Sequence, residues 1–422
     1  APHERIDQTR LITWRNNAAK GDEREFTGRL ALAGWTTDDA LRALGPVRLA
    51  NGAPLPAWTA TLDRLLQSIE TCRLPAAEEK PDFLDAGDPV LHEELLVPLV
   101  RTAWEVLAEA ESERLPWMGE KAQRDLKRHL LKRLSHLSRQ TLDLEYAAYR
   151  APDLGGIARL FANRLQTSAG GRADRSGYLR FVERMFQGKW LALLNEYPVL
   201  ARLLAQEIDR WREAAGEFLQ RYVRDREAIG AAILGGEIPG RIASLRPGLS
   251  DPHNGGRTVI IAELDDGRKI VYKPKSLHIS AAWNRLLGWL NERAECSPDL
   301  KGLKVLDRGA YGWEEYAAHA PCGDAGAVRR YYRRTGAILC LAYALDGSDF
   351  HHENLIACGE YPVLVDLETL LHPRPDVPFE EEYERDALAP LGERMNRSVL
   401  GTLLLPAWNR SPEGSCDIGG LF

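Results

Sequence analysis

The chain has 422 residues, of which 44% are hydrophobic and 27% charged, and its net charge is −6. This balance fits a globular protein with room for two or three domains, and it gives no global electrostatic reason to expect nucleic-acid binding. No apolar run reaches bilayer-spanning length and the opening residues lack the apolar core of a signal peptide, so a soluble, cytoplasmic protein is expected.

Residues 1–245 read as mainly helical. Between Arg124 and Arg139, Leu126, Leu130, Leu134 and Leu137 fall on one stripe, with Lys127, Arg128, Lys132 and Arg133 elsewhere around the helix. The pattern predicts a core helix with a solvated basic face; such a face can also meet an acidic peptide or a membrane surface. A second long helix is predicted from Val199 to Ala228, where Leu204, Ile208, Trp211 and Phe218 recur near helical spacing. Between these helices, Thr167–Gly177 is small and polar and predicts a mobile loop. Glycines and prolines at 234–256 then mark an irregular entry into a second domain, 246–422. In it, the β-type runs Arg257–Leu264 and Arg268–Lys273 flank Asp265-Asp266-Gly267, which predicts a hairpin. Ser280–Glu292 predicts a helix with Trp283, Leu286, Leu287 and Leu290 inward. Leu303–Leu306 and Tyr311–Tyr316 predict strands, and Ala325–Ala344 a further helix. Six scattered cysteines (Cys72, Cys296, Cys322, Cys340, Cys358 and Cys416) form no Cys-x-x-Cys pair and read as reduced thiols, with no zinc site.

The richest chemistry follows that helix, in Asp349-Phe-His351-His-Glu-Asn354 and Val365-Asp366-Leu-Glu368. Phosphoryl transfer needs a carboxylate to orient the attacking hydroxyl, plus an amide oxygen and a second carboxylate to hold Mg²⁺ on the phosphates. Asp349, Asn354 and Asp366 supply these groups, and the apolar run Tyr361–Val365 places Asp366 at a strand end. A polar loop that merely caps a helix or closes a turn is the alternative reading of the same residues. Upstream, Lys273 ends the second hairpin strand, where it can reach nucleotide phosphates, and Glu292 is its candidate ion-pair partner. The segment Asp251-Pro-His253-Asn-Gly255-Gly256-Arg257 can approach a phosphate through its paired glycines, with His253 and Arg257 as further donors. Tyr311–Tyr316 is the candidate lobe connection, whose backbone would read adenine.

Together, Asp251-Pro-His253…Gly256-Arg257, Tyr272-Lys273-Pro274, Tyr311-Gly312-Trp313, Asp349–Asn354 and Pro362–Glu368 resemble the dehydratase domain of class II lanthipeptide synthetases. The Asp-x-His-x-x-Asn loop is also similar to that of lipid kinases of the phosphoinositide 3-kinase type. The resemblance implies an α+β fold: a helical portion, 1–245, and a two-lobed kinase-like core with an N-lobe of about 246–321 and a C-lobe of about 322–422. It implies ATP- and Mg²⁺-dependent phosphorylation of Ser and Thr in a ribosomal precursor peptide (leader plus Ser/Thr/Cys core), followed by phosphate elimination to dehydroalanine or dehydrobutyrine. On this reading Asp349 acts on the hydroxyl, His351 supports the transition state, and Asn354, Asp366 and Glu368 serve the metal. Lys273, Gly255, Gly256 and Arg257 serve ATP, and Asp251 and His253 assist elimination. The elimination Arg and Thr of the family and its zinc-dependent cyclase domain have no counterpart here, so a fragment of a longer synthetase is expected. A non-catalytic module that binds the leader peptide, or a small-molecule or lipid kinase, are the alternatives.

Overall fold

A computed structural model describes residues 2–45, 52–71, 81–150, 175–293, 299–372, 395, 397–411 and 414–421. Cys72, Cys296 and residues 167–174 of the expected loop lie outside them, whereas residues 175–177 open a helix. The chain divides into two compact units, Ala1–Thr59 and Ala60–Phe422.

The first unit contains helices α1 (Pro2–Ala19), α2 (Glu23–Leu32) and α3 (Thr37–Leu44). Ala19, Phe26, Leu30 and Ala40 form its core, with Trp14 edge-on to Phe26 at 5.4 Å. A capping box starts α3: the Thr36 hydroxyl accepts from the Asp39 amide, and the Asp39 carboxylate accepts from the Thr36 amide.

In the second unit, α4 (Trp58–Thr71, of which the unit holds all but the first two residues), α5 (Glu93–Ala110) and α6 (Glu120–Arg150) precede α7 (Arg175–Arg184), α8 (Trp190–Glu196) and α9 (Pro198–Ala232). The apolar stripe of α6 is buried as expected at Leu126, Leu130 and Leu134. Its cations meet the protein itself. Lys127 pairs with Asp82, Arg128 and Lys132 pair with Asp88, and Arg133 pairs with Glu207. The second long helix also forms, as α9, and buries Leu204, Ile208, Trp211 and Phe218.

A five-stranded antiparallel sheet follows, in the order β1-β2-β3-β5-β4. Its strands are β1 (Ile242–Arg246), β2 (Ile260–Leu264), β3 (Lys269–Lys273), β4 (Val305–Asp307) and β5 (Gly312–Glu315). The predicted hairpin is β2–β3, turning at Gly267 with φ +84°. Strand β1 was not anticipated; it starts ahead of residue 246 and is tied to α6, whose Asp125 accepts from the Leu245 amide at 2.9 Å. Helix α9 packs aromatics on the sheet, with Phe218 5.2 Å from the Tyr272 ring and Tyr222 6.0 Å from the Trp313 ring. Beneath them Asp225, 2% exposed, accepts from Tyr311 Oη at 2.6 Å and from Trp313 Nε1 at 3.0 Å, so its burial is compensated.

Helix α10 (His278–Arg293) links β3 to β4, and α11 (Ala325–Ala344) leads to the hairpin of β6 (Leu355–Cys358) and β7 (Tyr361–Leu364). A short hairpin, β8 (Trp408–Ser411) and β9 (Gly414–Asp417), lies near the end of the chain. One core joins these pieces: Trp283 and Leu287 of α10, Ile338 and Ala342 of α11, Phe350, Leu355, Leu364, Leu367, Leu370 and Leu404. Arg334 of α11, 3% exposed, binds Asp299 at 2.8 Å and Glu360 at 3.1 Å and stacks 4.0 Å from the Tyr361 ring. No helix among the described residues is long and apolar enough to cross a membrane.

Candidate active site

Alternation along two strands aims the first charged pair. Tyr272 of β3 and Trp313 of β5 are register partners, and both lie under α9. Their neighbours Lys273 and Glu314 therefore share the opposite face, since successive strand side chains alternate. Lys273 Nζ lies 2.6 Å from Glu314 Oε2, with side chains 7% and 5% exposed. Gly312, directly across from Lys273, leaves no room for a Cβ, which would sit 2.7 Å from the Leu306 carbonyl. Burial pushes the Glu314 carboxyl above its usual value, and the Lys273 charge opposes that rise. The ammonium of Lys273 also donates to the Val365 carbonyl, which ties the sheet to the segment after β7.

Two residues on, across Pro274, Lys275 reaches the same segment. Its Nζ lies 2.9 Å from Asp366 Oδ1 and 2.6 Å from Glu368 Oε2. Burial disfavours the Lys275 charge, but the two carboxylates outweigh it and hold its pKa above the usual lysine value.

The Asp349 loop is fixed from below by Phe350. That ring is fully buried, and the Phe350 amide donates to the Thr402 carbonyl at 2.9 Å. Asp349 itself is exposed, with left-handed backbone at φ +66°, a conformation that a non-glycine residue holds only where its surroundings enforce it. Asn354 Nδ2 donates to the Asp349 carbonyl at 2.9 Å and lies 3.2 Å from His351 Nε2; that nitrogen is 3.8 Å from Asp349 Oδ1. The Val365 amide donates to the Asn354 carbonyl at 3.0 Å, and the Ser348 amide donates to Thr369 Oγ1 at 3.3 Å. Asp349, His351, Asn354, Asp366 and Glu368 thus belong to one hydrogen-bonded assembly, with Lys273 and Lys275 reaching in from the sheet.

Two sequence expectations are corrected, and one residue was missed. Glu292 is not the partner of Lys273; it pairs with its neighbour Arg293 at 3.3 Å, near the end of α10. The partner is Glu314, which strand alternation could have indicated once β3 and β5 were paired. The backbone of 312–315 is not free to read adenine, because β5 is paired on both sides, with β3 and with β4. Lys275, on the same side of the chain as Lys273, was passed over.

The Asp251–Arg257 segment forms a tight turn, with His253 and Arg257 exchanging backbone bonds at 3.0 and 2.9 Å. Asn254, Gly255 and Gly256 take φ values of +43°, +84° and +88°. The turn is docked on helices: Gly256 accepts from Arg133 of α6 at 2.8 Å, and Arg257 binds Glu217 of α9 at 2.8 Å. Asp251 and His253 are exposed. Arg257 is thus already neutralised by a carboxylate rather than directed at an anion site. Burial works against the Glu217 charge, but Arg257 and Arg221 outweigh it and depress its pKa.

Among the described residues no group of three or more His, Cys, Asp or Glu side chains is arranged to hold a metal ion. Asp366 and Glu368 nevertheless already converge on a cation, the Lys275 ammonium, and both are oxygen donors. That donor set fits Mg²⁺, which keeps water and phosphate oxygens and takes few protein carboxylates.

Fold and site describe an α+β protein in which carboxylates, an amide and two lysines converge between a sheet and a polar loop. Residues 197–422, more than half of the chain, match a family described as a domain of unknown function (DUF4135), and the chain belongs to that family. It is also similar to a lacticin 481/lactococcin biosynthesis protein, LcnDR2, of Lactococcus lactis subsp. lactis, at 31% identity over 164 residues. That match covers 37% of this chain and 17% of the relative.

Proposed function

We propose that the chain carries the phosphorylating centre of a lanthipeptide dehydratase, which transfers phosphate from ATP to Ser and Thr of a ribosomal precursor peptide. The similarity to a lacticin 481/lactococcin biosynthesis protein supports a role in lanthipeptide maturation. The observation that carries the reading is the joining of the Asp349–Asn354 loop to the 365–368 segment, where Lys273 reaches the Val365 carbonyl and Lys275 reaches Asp366 and Glu368. Asp349, exposed at a loop tip, orients the substrate hydroxyl and accepts its proton, and His351 stabilises charge beside it. Asn354, Asp366 and Glu368 would hold Mg²⁺, which when bound neutralises charge on the transferring phosphate. Lys273, fixed by Glu314, corresponds to the strand lysine of kinases, which is also held by a glutamate. Elimination of the phosphate needs a base for the α-proton, and Asp251 and His253 are assigned to that step on the resemblance of their motif.

The test is intact-mass analysis of a candidate precursor peptide incubated with the protein, Mg²⁺ and ATP. Phosphorylated or dehydrated peptide is expected, and Asp349→Asn should lower its formation by roughly a hundredfold or more. Absence of both products with a proven cognate peptide would sink the proposal. Replacing Asp251 or His253 should let phosphopeptide accumulate; unchanged dehydration would remove them from elimination.

A further inference from the structure

The two lysines of Tyr272-Lys273-Pro274-Lys275 reach the same short segment but are held differently. Lys273 is sealed: its side chain is 7% exposed, and it is bound by Glu314 and the Val365 carbonyl. Lys275 is one-third exposed, and so is Asp366, while Glu368 is more than half exposed. Its ammonium sits on the two carboxylates that would hold the metal, at 2.9 and 2.6 Å. A divalent cation on those oxygens would lie against the ammonium, and the two like charges cannot share them at close range without strong repulsion. Lysine is a compact charge on a flexible stem, so it can leave an exposed pair and settle on a phosphate.

We infer that Lys275 is an exchangeable counter-ion that holds Asp366 and Glu368 in the metal-free protein and yields them to a divalent cation when nucleotide phosphates are present to receive the ammonium. This rests on the phosphorylating reading above. The consequence is coupling. Metal alone must displace a bound cation with nothing to compensate the displaced charge, whereas metal with nucleotide exchanges one ion pair for another. By linkage, nucleotide raises metal affinity and metal raises nucleotide affinity by the same factor. Lys273, which stays with Glu314, plays no part in the exchange.

The experiment is a titration of the full chain with Mn²⁺, read by the electron paramagnetic resonance of the free ion, with and without ADP, each set against a protein-free control that accounts for the Mn²⁺ held by ADP itself. For the wild type, weak binding of Mn²⁺ alone and binding at least roughly tenfold tighter with ADP are expected. Lys275→Met should bind Mn²⁺ alone roughly tenfold more tightly than the wild type and show less gain from ADP. Lys275→Arg, which keeps the charge, should bind Mn²⁺ alone as weakly as the wild type. If all three bind Mn²⁺ with ADP but Lys275→Met gains nothing with metal alone, the exchange is wrong and the phosphorylating reading stands. Failure of the wild type to bind Mn²⁺ even with ADP overturns both. Should Lys275→Met not fold, the wild type still decides, because equal affinity with and without ADP overturns the exchange.

Discussion

Lys273 and Glu314 show how much rests on one buried pair. Both side chains are almost completely removed from water, so neither charge is tolerable without the other. Glu314→Gln should therefore destabilise the protein by about 3–5 kcal/mol, the usual cost of leaving one member of a buried pair alone. Lys273→Met with Glu314→Gln together should cost much less than the two single changes summed, which chemical denaturation of the four proteins would measure. Equal additive losses would mean that the pair is not a unit. That Lys273 ends a strand and that Asp349 and Asn354 share a polar loop ahead of Asp366 and Glu368 was legible in the sequence, and the structure brings both to the 365–368 segment. Glu314 and Lys275 were not legible there, since their roles depend on which strands pair and which way each strand faces.

At the scale of elements, the Asp349 loop takes its shape from segments distant in sequence. Gly347 is buried where a Cβ would lie 2.7 Å from both the Phe350 ring and Leu370. Gly420 passes so close that a Cβ would lie 2.5 Å from the Phe350 carbonyl. Gly347→Ala should overpack this site and cost about 1–3 kcal/mol, seen as a lowered thermal midpoint. Gly420→Ala presses on backbone rather than on a rotatable side chain, so it should displace the Asp349 loop and reduce the proposed phosphorylation. A fully active Gly420→Ala protein would show that the loop is not held from this side. Helices 199–228 and 325–344 and the hairpin at 257–273 were legible from periodicity and turn residues, and they form close to their predicted limits. Strand β1 was hidden among glycines and prolines, and its strand character comes from pairing with β2 and from the contact of Leu245 with Asp125.

Across the whole second unit, the helices and the sheet share their packing. Phe218 and Tyr222 of α9 cover the aromatic face of the sheet, and β1 starts before residue 246. A chain beginning at residue 246 should therefore fail to form the sheet, which circular dichroism would reveal as loss of cooperative melting. A folded 246–422 piece would establish the two-domain division expected from composition.

His129 of α6 supplies a pH test of the same junction. It packs against Gly248, whose Cβ would meet the imidazole at 2.8 Å, and burial, together with Arg133 and Lys132, holds its pKa down at about 4. Released on unfolding, the ring titrates near its ordinary 6.5, so between these values the unfolded chain binds the extra proton. Stability is then unaffected above pH 6.5 and falls as pH drops from 6.5 towards 4, by on the order of 2–3 kcal/mol from this group. His129→Gln should flatten the dependence of the thermal midpoint on pH in that window. An unchanged slope would mean that the ring is solvated in the folded protein.

The helical stripes and the hairpin can be read from the chain alone, because helix period and turn residues are local properties. The partners come from the fold: Glu314 for Lys273, Lys275 for Asp366 and Glu368, Glu217 for Arg257, and intramolecular carboxylates for the basic face of α6. Partner choice depends on strand register and on which faces are buried. A buried or crowded charge takes the nearest opposite charge that the fold brings to it, however far away it lies in the chain.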